Sequence, residues 1–217
     1  LGLVMAVCLK SSKTGDMVTA VQSMIAALSE GGNTVRTVHC DPQLSLIIMR
    51  GKLPGIRTDA AGAGDNMNHV DIQIELLKEM MRSQNASLPW NLPDEWIPDL
   101  VKYVVARRNH LPTRLGGSNV APIVKLTGRK PTPKTFDLKF GDYCEVYNPA
   151  VKSNDALANR TEPCIALHPD GNDSESWTFF NLKLRRSTWT KMVTSELVIE
   201  QVNKFAKLAL GIARGIE

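Results

Sequence analysis

The sequence has few cysteines, few aromatic residues and no long apolar run. Its four cysteines lie far apart and form no Cys-x-x-Cys pair, so neither a disulfide framework nor a cysteine zinc site is indicated. No apolar stretch reaches the roughly 18 residues that a membrane-spanning helix needs. The first nine residues also lack the basic start and cleavage site of a signal peptide. We therefore expect no membrane partner.

The remaining composition is that of an ordinary globular protein. The chain has 217 residues, of which 43% are hydrophobic and 22% are charged, and this allows one or two domains. It begins with Leu1 instead of Met, inside a strand-like apolar run. We therefore expect a fragment of a larger polyprotein.

Positive charge is concentrated in one segment. The chain has a net charge of +4, yet residues 101–139 contain nine basic residues and one acidic residue. A local excess of this kind is typical of a surface that binds a polyanion such as nucleic acid. A solvated linker is the alternative interpretation, and the pattern favours nucleic-acid contact over it.

The first 41 residues read as a strand, a helix and a strand. Residues 2–9 form a continuous apolar run that predicts a strand buried on both faces. A helix follows from Asp16 to the Gly31-Gly32 pair, and residues 34–40 alternate as a second strand. This order predicts a parallel pair with Asp41 just past the carboxyl end of a strand, where open α/β sheets place their sites.

Residues 62–83 open as a loop of small and turn-forming residues and continue as an amphipathic helix. Asp71 lies in the first turn of this helix, where a carboxylate complements the helix dipole. Asp41 likewise has a structural alternative, because Asp followed by Pro42 is a good helix N-cap. Each acid can therefore either stabilise a helix or bind a metal ion. The apolar face is predicted from the residues Ile72, Leu76, Leu77, Met80 and Met81, and the polar face from Asp71, Glu75, Lys78 and Arg82.

The second half changes from helical to strand-like periodicity. Residues 88–98 form a proline-rich aromatic elbow, and the helix after it ends near Arg107 and Arg108, where cations suit a helix C-terminus. From residue 140 onward, four short strand-like runs separated by turns predict a small antiparallel barrel. A last amphipathic helix is predicted over about residues 195–212.

Several of these segments, in their order, resemble the integrase of copia-type LTR retrotransposons. The segment Asn-Met-Asn-His-Val-Asp-Ile-Gln-Ile-Glu at residues 66–75 resembles the element that carries the third catalytic acid of that family. Ala-Pro at 121–122 with Gly-Arg-Lys-Pro at 128–131 resembles its Thr-Pro and Gly-x-Lys-Pro signature. Phe-Gly-Asp-Tyr at 140–143 resembles its Phe-Gly-x-Tyr strand, and residues 159–189 resemble the β module after the core.

The resemblance implies an α/β ribonuclease H-like core that is partial because its first strand is missing, then a small antiparallel β-barrel-like module and a C-terminal helix. The implied divisions are a partial catalytic core at 1–112, a basic connector at 113–139, the β module at 140–194 and the C-terminal helix at 195–217.

By position, the resemblance makes Asp41 the second and Asp71 the third of three acids that hold Mg²⁺ (or Mn²⁺) for phosphoryl transfer on DNA. The third acid is usually Glu in this family, and Asp is one methylene shorter. The first acid would lie upstream of Leu1, so the chain is expected to be inactive or nearly so. The implied DNA-binding residues are Lys78, Arg82, Arg107, Arg108, Arg114, Lys125, Arg129 and Lys130. For Lys78, a salt bridge to Glu75 or Glu79 is an equally good interpretation.

The implied partners are the retroelement ends and target DNA, with a homo-oligomer in the intact protein, located in the nucleus and in virus-like particles. Two alternatives stay open. One is a degenerate ribonuclease H-like domain retained only for nucleic-acid binding or assembly. The other is a structural, capsid-associated domain without a nucleic-acid role.

Overall fold

The computed structural model describes residues 2–40, 53, 55–60, 68–112, 119–147, 159–171 and 176–190. The chain divides into two compact units: residues 1–76 with 109–130 form unit 1, and residues 77–108 with 131–217 form unit 2. One border lies at residues 130–131, inside the basic connector predicted at 113–139. The predicted C-terminal helix at 195–217 lies outside the described residues.

Unit 1 contains two helices that pack closely. Helix α1 spans Thr14–Glu30, as the sequence predicts, and Asp16 in its first turn accepts a hydrogen bond from the Ser11 hydroxyl at 2.5 Å. A short helix that spans Pro122–Thr127 packs against the end of α1. A Cβ atom at Gly31 would lie only 2.5 Å from Leu126 Cδ1. The absence of a side chain at Gly31 therefore permits this contact.

Unit 1 also contains a parallel strand pair. Strand β1 spans Thr37–Cys40 and pairs with β2, Arg57–Ala60, in a register that runs from Thr37 opposite Arg57 to Cys40 opposite Ala60. The sequence predicts β1, but as the parallel partner of residues 2–9 and not of β2. The predicted partner strand, residues 2–9, is wrong. The assignment of the whole sheet to a ribonuclease H-like core stays a prediction.

Residues 2–9 have no regular secondary structure, and Val7 and Leu9 are 43% and 44% exposed. The main chain of Val4 is hydrogen-bonded by the Asn109 side chain and not by a neighbouring strand. The Asn109 Oδ1 accepts from the Val4 N–H at 2.9 Å, and the Asn109 Nδ2 donates to the Val4 carbonyl at 2.6 Å. An apolar run indicates a tendency to be buried, but it does not identify the group that will satisfy its main chain.

Two longer helices follow β2. Helix α2 spans Asn68–Ala86, and helix α3 spans Ile97–His110 after a 3₁₀ turn at Asp94–Trp96. We number the Pro122–Thr127 helix α4. The elbow predicted between the helices is confirmed, and Pro98 is accommodated in the first turn of α3, where its missing N–H costs no helical hydrogen bond.

Unit 2 contains an antiparallel sheet of four strands in the order β3-β4-β5-β6. The four strand-like runs in the sequence predict its members. The strands are β3 Tyr143–Tyr147, β4 Thr161–Pro169, β5 Trp177–Asn181 and β6 Arg186–Thr190. Strands β3 and β6 are the two edges, so the described strands form an open meander and not a closed barrel.

Helix α3 and this sheet share the core of unit 2. Leu100, Tyr103 and Val104 are buried on the helix, and Leu77, Met80 and Met81 of α2 pack at its margin. The strands and the turn before β3 contribute Phe140, Tyr143, Ile165, Leu167, Trp177 and Phe179. Trp177 and Phe179 of β5 are both buried in this core.

The turn before β3 requires glycine. Gly141 has a φ of +89°, and its N–H donates to the Ala166 carbonyl at 2.8 Å. A Cβ atom at this position would lie 2.4 Å from Leu88 Cδ2 and 3.3 Å from Trp90 Cζ2. Glycine is needed here both for the backbone conformation and for the space.

We expect Gly141→Ala to lower the free energy of unfolding by about 2–4 kcal/mol, because left-handed strain and overpacking add. Gly171→Ala is the matched control, since Gly171 has a φ of +70° but a Cβ atom there would meet nothing within 4 Å among the described residues. We expect this control to cost about 1 kcal/mol from strain alone. Urea unfolding measures both variants, and equal losses would contradict the packing argument.

Candidate functional site

The ends of β1 and β2 form the sheet edge that the sequence predicts as a site. Cys40 and Ala60 lie opposite each other as the last residues of their strands, so both parallel strands end at the same level. Asp41 follows Cys40 directly in the sequence. Asp41 itself lies outside the described residues, and its role stays a prediction.

Asp71 is the second predicted acid, and it is described. It lies in the first turn of α2 and is exposed to solvent. Unpaired N–H groups at a helix N-terminus stabilise a carboxylate there, and exposure leaves its oxygens accessible to a cation. Among the described residues, no group of three His, Cys, Asp or Glu side chains could hold a metal ion. The described part of the chain therefore does not by itself build the implied metal site.

The two faces of α2 differ in how well the sequence predicts them. The predicted polar residues Asp71, Glu75, Lys78 and Arg82 are all exposed, which confirms that face. On the apolar face Ile72 is 59% exposed, so its predicted burial is wrong. Within unit 2, the residues of α2 that pack against the core are partly buried, among them Leu77, Met80 and Met81.

A contact between a histidine and an aspartate at the sheet edge is not predicted by the sequence. His39 Nδ1 of β1 lies 3.3 Å from Asp59 Oδ2 of β2, and the two side chains are 64% and 52% exposed. Cys40, the next residue of β1, is buried. The sequence does not predict this pair because β2 is a strand of only four residues, and such a short run carries little periodic signal.

Arg107 is engaged inside unit 2. Its Nη1 donates to the Thr135 carbonyl at 3.2 Å, and its Nη2 donates to the Phe136 carbonyl at 3.4 Å and also to the Leu138 carbonyl. Its Nε donates to the Tyr103 hydroxyl at 3.1 Å, and its guanidinium lies 5.2 Å from the Tyr103 ring centroid. A phosphate contact would have to replace these bonds. The geometry therefore favours a structural role over the predicted DNA contact.

The other predicted DNA-binding residues divide by exposure. Arg108 is only 7% exposed, so it shares the structural character of Arg107. Lys125 is half-buried in α4. Lys78 and Arg82 are exposed on α2, and Arg129 and Lys130 are exposed after α4. Arg114 lies outside the described residues. The four exposed cations are the best placed to contact a phosphate backbone.

A partly buried polar cluster joins α3 to β4. His168 Nε2 lies 3.3 Å from Asp99 Oδ1 and 3.3 Å from Lys102 Nζ. Burial opposes ionisation of Asp99, but the hydrogen bond from His168 and the positive charge of Lys102 outweigh it and hold the pKa of Asp99 below its usual value. Asp99 and His168 are far apart in sequence, and no local pattern signals their contact.

Two cysteines face each other across β3 and β4. Cys144 and Cys164 are directly opposite in the antiparallel register, and both are fully buried. Burial raises the pKa of Cys164 to about 12 and raises the pKa of Cys144 as well. Because the thiolate is the nucleophile and the metal ligand, these two thiols are unsuited to catalysis.

Neither a scan against protein-family models nor a search of curated proteins finds a match to the chain. The resemblance to copia-type integrases therefore rests on the ordered sequence motifs. Within the described residues, no helix is both long enough and apolar enough to cross a membrane.

The Asp99 cluster makes stability depend on pH. A depressed carboxyl pKa contributes stability above the unfolded pKa near 3.8, and this contribution is lost as pH falls through the lower folded pKa. We expect Asp99→Asn to lower the free energy of unfolding by about 1 kcal/mol near pH 7. The deficit should begin to shrink as pH falls below the unfolded pKa near 3.8, and it should disappear once pH has passed the lower folded pKa of Asp99.

Urea unfolding at several pH values measures this difference. Asp137→Asn is the control, because Asp137 is exposed, and its effect should be small at every pH. A deficit of Asp99→Asn that does not change between neutral and acidic pH would contradict the electrostatic explanation.

Proposed function

We propose that the chain is part of the catalytic region of a copia-type retrotransposon integrase, which cleaves and joins DNA by metal-dependent phosphoryl transfer. The observation that carries this proposal is the order of elements in unit 1. A parallel strand pair ends level at Cys40 and Ala60, Asp41 follows the first strand in sequence, and the next helix bears Asp71 in its first turn.

Physical chemistry connects this order to the reaction. Ligands of open parallel sheets bind beyond the carboxyl ends of the strands, and carboxylate oxygens are preferred ligands of Mg²⁺. In such sites two bound metal ions stabilise the attacking and leaving oxygens of the phosphate. Asp41 and Asp71 would supply two of the three acids of the family. We propose that the chain by itself is inactive or nearly so.

The exposed cations support a DNA partner. Lys78, Arg82, Arg129 and Lys130 project into solvent, and the segment 101–139 remains basic after Arg107 and Arg108 are counted as structural. Contacts of Lys and Arg with phosphates are independent of sequence and weaken with salt. In the intact protein the partners would be the element ends and the target DNA, with assembly as a homo-oligomer in virus-like particles and the nucleus.

A second candidate is a ribonuclease H-like domain that binds DNA without catalysis. The observation that favours it is the same basic segment, because backbone binding requires cations and no carboxylates. Both candidate functions therefore require DNA binding, and only the integrase also requires a bound metal ion.

Duplex binding at increasing salt tests the partner. We expect Lys130→Gln to weaken binding uniformly across sequences and to reduce the slope of log affinity against log salt by about 1. Lys183→Gln is the matched control, since Lys183 is an exposed lysine in the turn between β5 and β6. An undetectable affinity even at low salt would remove both DNA candidates.

Calorimetric titration with Mn²⁺ separates the two candidates. We expect Asp41→Asn and Asp71→Asn each to weaken Mn²⁺ binding by roughly tenfold or more, because each removes a proposed ligand. Glu79→Gln is the control, since Glu79 is an exposed acid on the same helix as Asp71. The non-catalytic domain would be favoured if the chain binds duplex DNA but shows no Mn²⁺ binding that these two aspartate substitutions weaken.

A further inference from the structure

His168 is a buried titratable side chain between α3 and the sheet of unit 2. Its side chain is only 9% exposed, and both ring nitrogens face polar groups. Nδ1 lies 3.2 Å from the Pro169 carbonyl oxygen and 3.9 Å from Asp170 Oδ1, and Nε2 faces Asp99 and Lys102 on α3. Histidine is the side chain that ordinarily changes its charge between about pH 5 and pH 8. The partners of the two nitrogens therefore decide which of them gains and loses the proton.

The Nδ1 side of the ring faces only acceptors among the described residues. The Pro169 oxygen is a main-chain carbonyl, which accepts a hydrogen bond and donates none. The Asp170 carboxylate beside it accepts from the Ser176 hydroxyl at 3.0 Å and from the Thr178 hydroxyl at 2.6 Å. An unprotonated Nδ1 would direct its lone pair at these oxygens. Nδ1 therefore keeps its proton, and Nε2 is the nitrogen that gains or loses one.

Nε2 lies at one corner of a triangle of polar atoms. Asp99 Oδ1 and Lys102 Nζ are each 3.3 Å from Nε2, and they are 3.4 Å from each other. An ionised carboxylate can only accept a hydrogen bond from Nε2, whereas an ammonium group can only donate one to it. The two bonds exclude each other, because the first needs a proton on the nitrogen and the second needs its lone pair. The protonation of Nε2 therefore decides between Asp99 and Lys102.

The two protonation states place Lys102 differently. When Nε2 is unprotonated, the Lys102 ammonium donates to it and separates the nitrogen lone pair from the Asp99 carboxylate. When Nε2 is protonated, it donates to Asp99, and the imidazolium and the ammonium are then neighbouring positive charges that repel each other. The Lys102 side chain is 45% exposed, whereas that of His168 is buried. Lys102 is therefore the group that moves into water.

The charges around His168 permit the uptake of a proton. Those that face it among the described residues are Asp99 and Lys102 from α3 and Asp170 from the turn after β4. Two carboxylates and one ammonium carry a net charge of −1, which a proton on His168 neutralises. The acids at positions 173 and 175, in the same turn, lie outside the described residues. The cluster can thus hold the imidazolium without an excess of positive charge.

We propose that His168 and Lys102 form a pH-sensitive contact between α3 and β4. Loss of the Nε2 proton binds the Lys102 ammonium to His168, and uptake of the proton transfers Nε2 to Asp99 and releases Lys102 to solvent. Lys102 belongs to the basic segment 101–139, so proton uptake adds an available cation to that segment. The inference does not depend on DNA binding or on catalysis by the chain.

A double-mutant cycle in urea, at about pH 8 and about pH 5, tests this contact. The variants are Lys102→Gln, His168→Gln and the double substitution, and the cycle removes the effects of other partners such as Asp99. We expect the contact to favour the folded state at the higher pH by about two- to fivefold in the unfolding equilibrium constant, and to disfavour it by a similar factor at the lower pH. Lys183→Gln is the matched control, because Lys183 is an exposed lysine in the turn between β5 and β6, and it should show no coupling to His168.

NMR of the wild-type imidazole is the second measurement, and it requires no variant to fold. The ring nitrogen chemical shifts of His168 report which nitrogen carries a proton. We expect a proton on Nδ1 alone at about pH 8 and on both nitrogens at about pH 5. The proposal is overturned by a coupling of the same sign at both pH values, by a proton on Nε2 in place of Nδ1 at the higher pH, or by a ring whose protonation does not change between them.

Discussion

The Arg107 guanidinium is the contact on which unit 2 depends most directly. It projects from α3 and satisfies the carbonyls of Thr135, Phe136 and Leu138, which lie on the segment that leads into β3. A guanidinium presents its donors in a rigid plane, so one side chain can bind several carbonyls at once. Without it, these acceptors would lose their partner, at a cost of about 1–3 kcal/mol for each one that is buried. The helix and the start of the sheet are thereby fixed together.

The hydrogen bonds of Arg107 change how the positive charge of residues 101–139 is interpreted. The nine basic residues in 101–139 are counted equally by the sequence, but Arg107 binds main-chain carbonyls and Arg108 is buried. A charge that already binds the protein's own oxygens is less available to a phosphate. The case for nucleic acid therefore depends on exposed cations such as Lys130 and Arg82, and less on the total charge of the segment.

The sequence predicts the elements whose signals are local. Helix α1, the elbow around Pro93 and the four strands of the meander all follow from periodicity and turn residues within about twenty positions. Contacts between distant positions leave no such signal. The pairing of Asn109 with Val4, the proximity of His168 to Asp99 and the parallel partner of β1 each join residues that only the folded chain brings together.

The candidate site shows the same difference between local sequence signals and contacts of distant residues. The placement of Asp71 in a first helical turn is predicted correctly, because a capping environment is set by neighbouring residues. The exposed pair of His39 and Asp59 depends on the register of two strands and is not predictable locally. The setting of a residue in a helical turn is thus easier to predict from one sequence than a contact between two strands.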